Sequence, residues 1–114
     1  MRDCIFCKIA EKKISAKIIH ADDLAVAFED INPQAPAHTL IIPRKHISTA
    51  LEIAQEDHVL IGHLFQVGAK IARDKGIAEK GFRLVMNTNA DAGQTVFHIH
   101  LHLLGGRSMH WPPG

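Results

Sequence analysis

The chain has 114 residues, of which 46% are hydrophobic, 22% charged and 5% aromatic, with a net charge of +1. That size is enough for one domain with a modest core, and the interspersed charges leave neither a basic footprint for a polyanion nor an acidic tail. No apolar stretch approaches the roughly 20 residues that span a bilayer, and Met-Arg-Asp-Cys opens without the apolar run of a signal peptide, so a cytoplasmic protein with no nucleic-acid or membrane partner is expected.

Ile5, Phe6, Ile9 and Ala10 recur at helical spacing, which predicts a short helix over 4–11. Within it, Cys4 and Cys7 form a Cys-x-x-Cys, which in a reducing compartment suggests metal or redox chemistry more than a disulfide. Ile14 to Ile19 and Leu24 to Phe28 read as two β segments around the polar turn Ala21-Asp22-Asp23. Asp30 to Pro36 is a loop stiffened by two prolines, and His38 to Pro43 is a short apolar strand. Thr49-x-x-Glu52 has the form of a capping box opening a turn of helix.

The longest helix is expected from about Glu56 to Lys75. Leu60, Leu64, Val67 and Ile71 form its apolar stripe, with Ile61, Phe65, Gly68 and Ala72 beside it and Gly76 as its C-cap. Phe82 to Met86 is another strand, and Asn87 to Thr95 a polar loop. Strands with one main helix and no β-α-β alternation predict an antiparallel α+β fold.

The loop feeds His98-Ile99-His100-Leu101-His102-Leu103-Leu104, ended by Gly105-Gly106. Side chains alternate faces along a strand, so the three imidazoles line one face, neighbours roughly 6–7 Å apart, while Ile99, Leu101 and Leu103 supply core on the other. Two uses of such a row compete. His-x-His on a strand can present two ligands to zinc. Alternatively, one neutral imidazole attacks phosphorus while the others orient it or pass protons. The preceding Gly93-Gln94-Thr95 favours phosphate, because Gly93 permits close backbone approach and its neighbours offer donors. An ordinary turn is the plainer reading of those three residues alone.

His-Ile-His-Leu-His-Leu-Leu resembles the His-φ-His-φ-His-φ-φ motif of the histidine-triad (HIT) superfamily, φ being apolar. The remainder resembles its HINT branch of nucleoside phosphoramidases: Phe6-x-Lys8-Ile9, Ala16-Lys17-Ile18-Ile19, Ala27-Phe28-x-Asp30-Ile31, Pro33-Gln34-Ala35-Pro36-x-His38, Ile42-Pro43-x-Lys45-His46-Ile47, Gly93-Gln94-x-Val96 and Gly105-Gly106-Arg107-x-Met109-His110-Trp111-Pro112-Pro113-Gly114 fall in family order. The resemblance implies a single HIT domain over residues 1–114. It also implies a five-stranded antiparallel sheet with one long and one or two short helices, and a homodimer whose sheets join, with the long helix at the two-fold axis. The small residues Gly62, Gly68 and Ala69 of that helix are compatible with such packing.

By the same resemblance the reaction is hydrolysis of adenosine or guanosine 5′-phosphoramidates. His100 is then the nucleophile, His102 binds a phosphate oxygen, His98 bonds backbone and fixes the nucleophile's tautomer, and His38 completes the relay. Thr95 stands where the family usually has Ser and helps protonate the leaving amine. Gly93, Gln94, Thr95 and Val96 hold the phosphate, Asn87 contacts sugar or phosphate, and Asp30 takes the ribose hydroxyls. Phe6, Ile9, Ile14, Phe28 and Ile31 form the slot for the base, although read singly they are ordinary core residues. Trp111 reaches the partner's site. Catalysis needs no cofactor, but some HIT relatives hold a structural zinc through residues equivalent to Cys4, Cys7, His46 and His98. A non-catalytic nucleotide- or zinc-binding regulator using the same face is the alternative.

Overall fold

A computed structural model describes residues 3–114; Met1 and Arg2 of the expected 1–114 domain lie outside the described residues. The elements are α1 (Ile5–Ala10), β1 (Ile18–Ala21), β2 (Ala25–Glu29), β3 (Ala37–Pro43), two 3₁₀ turns (Ala50–Glu52 and Gln55–Asp57), α2 (His58–Asp74), β4 (Phe82–Val85), α3 (Asn89–Ala92) and β5 (Leu101–Gly105). All strand pairs are antiparallel, in the order β1-β2-β3-β5-β4. The fold is therefore α+β, a five-stranded antiparallel sheet with one long helix and short ones, as expected.

Period-two alternation divides the two faces. Ile41, Ile99, Leu101 and Leu103 join Leu64, Val67, Ile71 and Ala72 of α2 in one core. Val26, Phe28, Leu40 and Ile42 meet Phe6, Ile9 and Ala10 of α1 in the other. Central β3 is buried along its whole length, which accounts for its run of apolar residues. Gly68 allows α2 to approach the sheet closely, since a Cβ there would sit 3.1 Å from Leu84 and 3.3 Å from Ile41. Its small size thus serves contact with its own sheet.

Three boundaries depart from expectation. The segment read as strand from Ile14 starts only at Ile18, because Lys12 leaves α1 with φ 62° and the chain must first clear the helix. The polar loop after β4 folds its middle into α3, closed by Gly93 at φ 86°, a left-handed value that glycine adopts without strain. The histidine strand begins at Leu101, so only His102 of the three lies in the regular ladder. The chain at His98–His100 remains in sequence-alternating order but is held by other bonds: Ile99 N donates to Ile47 O at 2.8 Å, and the His100 ring donates to the His98 carbonyl.

Candidate active site

The histidine row faces α1. His98 is wholly buried and His100 almost so, with Phe6 edge-on to both rings at centroid distances of 6.0 and 5.0 Å. Since β5 pairs antiparallel with β3 in the register His38↔Leu104 and Leu40↔His102, His38 lies diagonally next to His102.

The partners of the rings assign their protons. Gln34 N donates to His38 Nδ1 at 3.0 Å, so the His38 proton sits on Nε2, 2.9 Å from His102 Nδ1 and 3.3 Å from Asp30 Oδ2. His102 therefore accepts at Nδ1 and carries its own proton on Nε2. His100 donates from Nδ1 to the His98 carbonyl at 2.8 Å, which leaves its Nε2 a bare lone pair. His98 donates from Nε2 to Pro43 O at 2.7 Å, leaving its Nδ1 bare. The His98 ring thus bonds backbone as anticipated, but its carbonyl, not its ring, fixes the His100 tautomer.

Burial disfavours the imidazolium in all four. It lowers the pKa of His100 and His38, and it brings His98 and His102 down to about 4 with help from neighbouring imidazoles. At neutral pH the row is neutral.

His100 and His102 line a cavity of about 480 Å³, large enough for a small organic ligand. Phe6, Ile9, Ile14, Phe28, Asp30, Ile31, Thr95 and Val96 line it too, so ten of the anticipated residues converge. Phe6, Ile9 and Phe28 belong at once to the core and to the cavity floor. Ile14 and the fully exposed Ile31 form its apolar rim. Asp30 is fixed by accepting from Asn32 N at Oδ1, and Thr95 is exposed at the mouth. Sequence reasoning missed Ile5, Ser15, Ala16, Glu29 and Leu40 in the same wall. Ser15 follows a charged turn and carries no local signal of being near a cleft.

Other anticipated residues are placed elsewhere. The Gln94 amide is committed to backbone: Nε2 donates to Ser48 O and Val96 O, and Oε1 accepts from Asn89 N. It shapes the loop instead of offering a free donor, as a buried amide must satisfy its own atoms first. Asn87 borders a separate groove with Arg83, Arg107 and the C-terminal tail. Trp111 is 85% exposed on that tail, which Arg83 holds by donating to His110 O at 2.9 Å.

Behind His98 lies a second cluster. Cys4 Sγ is 3.3 Å from His98 Nδ1, and Cys7 Sγ is 3.5 Å from it and 3.4 Å from His46 Nδ1. All four donor atoms lie within 4.8 Å of one another. Zn–S bonds of about 2.3 Å and Zn–N bonds of about 2.0–2.1 Å in a tetrahedron set S···N edges of about 3.5 Å. The donor set and its spacing therefore fit a zinc-class ion. Because the His98 proton is on Nε2, its Nδ1 lone pair is free for a metal, and Pro43 O is the outer partner that orients the ring.

Known proteins resemble this chain in sequence and in fold. A HIT domain profile matches residues 11–109. The purine nucleoside phosphoramidase of Escherichia coli K12 is 50% identical over 107 residues, 94% of this chain and 90% of the relative. A HIT-like protein of Synechocystis is 52% identical over 98% of this chain and 97% of its own. Among solved structures, a HIT family hydrolase from Legionella pneumophila Philadelphia 1 superposes with a TM-score of 0.96 at 50% identity, covering 98% of this chain and 100% of that one. A histidine triad protein from Clostridium difficile gives 0.93 at 40% identity, covering 96% of each. With the profile covering residues 11–109 and relatives at about half identity over nearly its whole length, the chain belongs to the histidine-triad (HIT) family.

Proposed function

We propose that this protein is a hydrolase of purine nucleoside 5′-phosphoramidates of the adenosine and guanosine type, acting through a nucleotidyl-histidine at His100. The supporting observation is the tautomer of His100, whose Nδ1 is tied to the His98 carbonyl while Nε2 is bare in a ring lining the cavity. Attack by that lone pair on the α-phosphorus forms an N–P bond as the substrate P–N bond breaks, its electron pair leaving with the amine. The departing amine takes a proton from water at the mouth, passed through the Thr95 hydroxyl, which is exposed there. Water then displaces His100, releasing the nucleotide and restoring the neutral ring. Dividing one displacement into two suits a positioned neutral nucleophile.

His102 Nε2–H binds a phosphate oxygen, and its orientation comes from His38, itself held by Gln34 N. The backbone from Gly93 to Val96 supports the phosphate. Asp30 receives the ribose hydroxyls, and the apolar slot contacts faces of the base rather than its edges, which suits either purine. Asn87 and Trp111 act in this reading only where a second chain or a bound ligand meets their groove. Zinc at Cys4, Cys7, His46 and His98 is structural, and the reduced thiols suit a cytoplasmic setting. The chain works as one HIT domain over residues 1–114 and as a homodimer.

His100→Ala is expected to lower turnover of an adenosine phosphoramidate by at least roughly 10³-fold while AMP binding and fold persist. In the wild type, mass spectrometry of a quenched reaction should find the nucleotide mass on the peptide carrying His100. Normal turnover by the variant discards the mechanism. The four-donor cluster also suits the regulatory alternative, and metal analysis separates the two. Zinc lost from Cys4→Ser but retained in His100→Ala agrees with the enzyme, whereas zinc lost in His100→Ala places the metal on the row itself.

A further inference from the structure

Among the described residues, the triad cavity and the cysteine cluster leave one other group of convergent ligands. His20 on β1, Asp22 in the β1–β2 turn and His63 on α2 come together on the α2 side of the sheet. His20 Nε2 lies 2.6 Å and His63 Nε2 2.7 Å from the same oxygen, Asp22 Oδ2. The three ligand atoms fall within 4.8 Å of one another.

The arrangement is built rather than incidental. Asp22 cannot swing away, because its other oxygen, Oδ1, accepts from Leu24 N and Ala25 N at 2.8 Å each, and its carbonyl accepts from Arg44 Nε at 2.7 Å. A register shift between Ile18 and His20 re-aims the strand just ahead of His20. His63 precedes the fully buried Leu64, which locks that part of α2 to the core. Side-chain exposures of 21%, 30% and 27% leave one side of the group open to water. The Arg44 guanidinium is directed to the carbonyls of Asp22 and Ala10.

We propose that His20, Asp22 and His63 form a second, solvent-open metal site for a divalent first-row transition ion of the zinc and nickel class. Two imidazoles and one carboxylate match the ligand preferences of such ions, and water completes the coordination. Each ring brings an Nε2 lone pair to the metal. Its proton moves to Nδ1 in a neutral ring, or leaves to solvent from an imidazolium. The carboxylate then exchanges two N–H donors for the ion. The bound ion ties the edge hairpin β1–β2 to α2, so it raises the melting temperature as any ligand selective for the folded state does.

The test uses the full chain, first equilibrated with zinc and desalted, then titrated with Ni(II) in a calorimeter. The expected result is one further ion per chain, bound roughly tenfold or more weakly in His63→Ala and in His20→Ala, since losing a direct ligand costs at least as much as losing an outer partner. Independently of any variant, paramagnetic Ni(II) should erase the ring signals of His20 and His63 in the wild-type NMR spectrum before those of His38. No further ion, equal affinity in both variants, or broadening that spares His20 and His63 overturns the proposal.

Discussion

A neutral imidazole has one proton and two nitrogens, and at each ring of this site a fixed partner decides which nitrogen holds it. The partners are mostly backbone: Gln34 N for His38, Pro43 O for His98 and the His98 carbonyl for His100. Such bonds survive side-chain fluctuation, so the tautomers persist between turnovers. They also carry a stability consequence. His102 falls from its ordinary value of 6.5 to about 4, chiefly through burial, then through His100 and His38, with Asp30 opposing. Between those values the unfolded chain binds more protons than the folded one, so stability is complete above the ordinary value and is lost as pH falls toward 4. The denaturation midpoint should be flat near neutral pH and drop through this window, with a smaller drop in His102→Gln. An identical pH profile in that variant refutes the assignment. Carboxylates such as Asp22 and Glu29 titrate lower. Burial raises both, but hydrogen bonds from His20 to Asp22 and from Lys75 to Glu29 outweigh it and hold them below the usual range.

At the scale of elements, β5 and α2 divide the work. β5 and the segment leading into it give their Ile99, Leu101 and Leu103 side to the α2 core and their imidazole side to the cleft, so the same alternation that builds the core aims the chemistry. α2 anchors that side through Leu64, Val67, Ile71 and Ala72. Leu64 has no exposed surface, and Leu64→Ala should cost about 2–5 kcal/mol from lost transfer energy plus a residual cavity. Chemical denaturation reads that loss. Nucleotide affinity below the melting range should barely change, because the cleft is on the opposite face; a large fall in affinity at preserved fold would contradict this separation.

For the whole molecule, the sheet order leaves β1 and β4 as edges. β4 is half-exposed along its length, with Phe65 of α2 exposed at 46%. An edge of this kind favours pairing with a second copy. Light scattering should give twice the chain mass, and Val85→Lys, placing charge on the side of β4 turned away from the α2 core, should reduce it toward the monomer. A wild-type monomer at micromolar concentration would remove the homodimer from the proposal. Among the described residues no helix is long and apolar enough to cross a membrane.

The sequence by itself determined what depends on local periodicity. The histidine alternation, the α2 stripe, the buried β3 run and the turn residues were all legible because each rests on spacing within one segment. The face on which the rings sit was legible too, since alternation survives even where the ladder at His98–His100 does not. Tertiary structure alone decided the rest. The Gln94 amide turned to backbone at Val96 and Ser48, Gly68 to its own sheet, and Asn87 to another groove, while Ser15 came to the cleft wall and His63 to His20 and Asp22 from a distant segment. Hydrogen-bond partners are chosen by distance in space, and sequence spacing carries no information about which distant groups a fold will bring within 3 Å of each other.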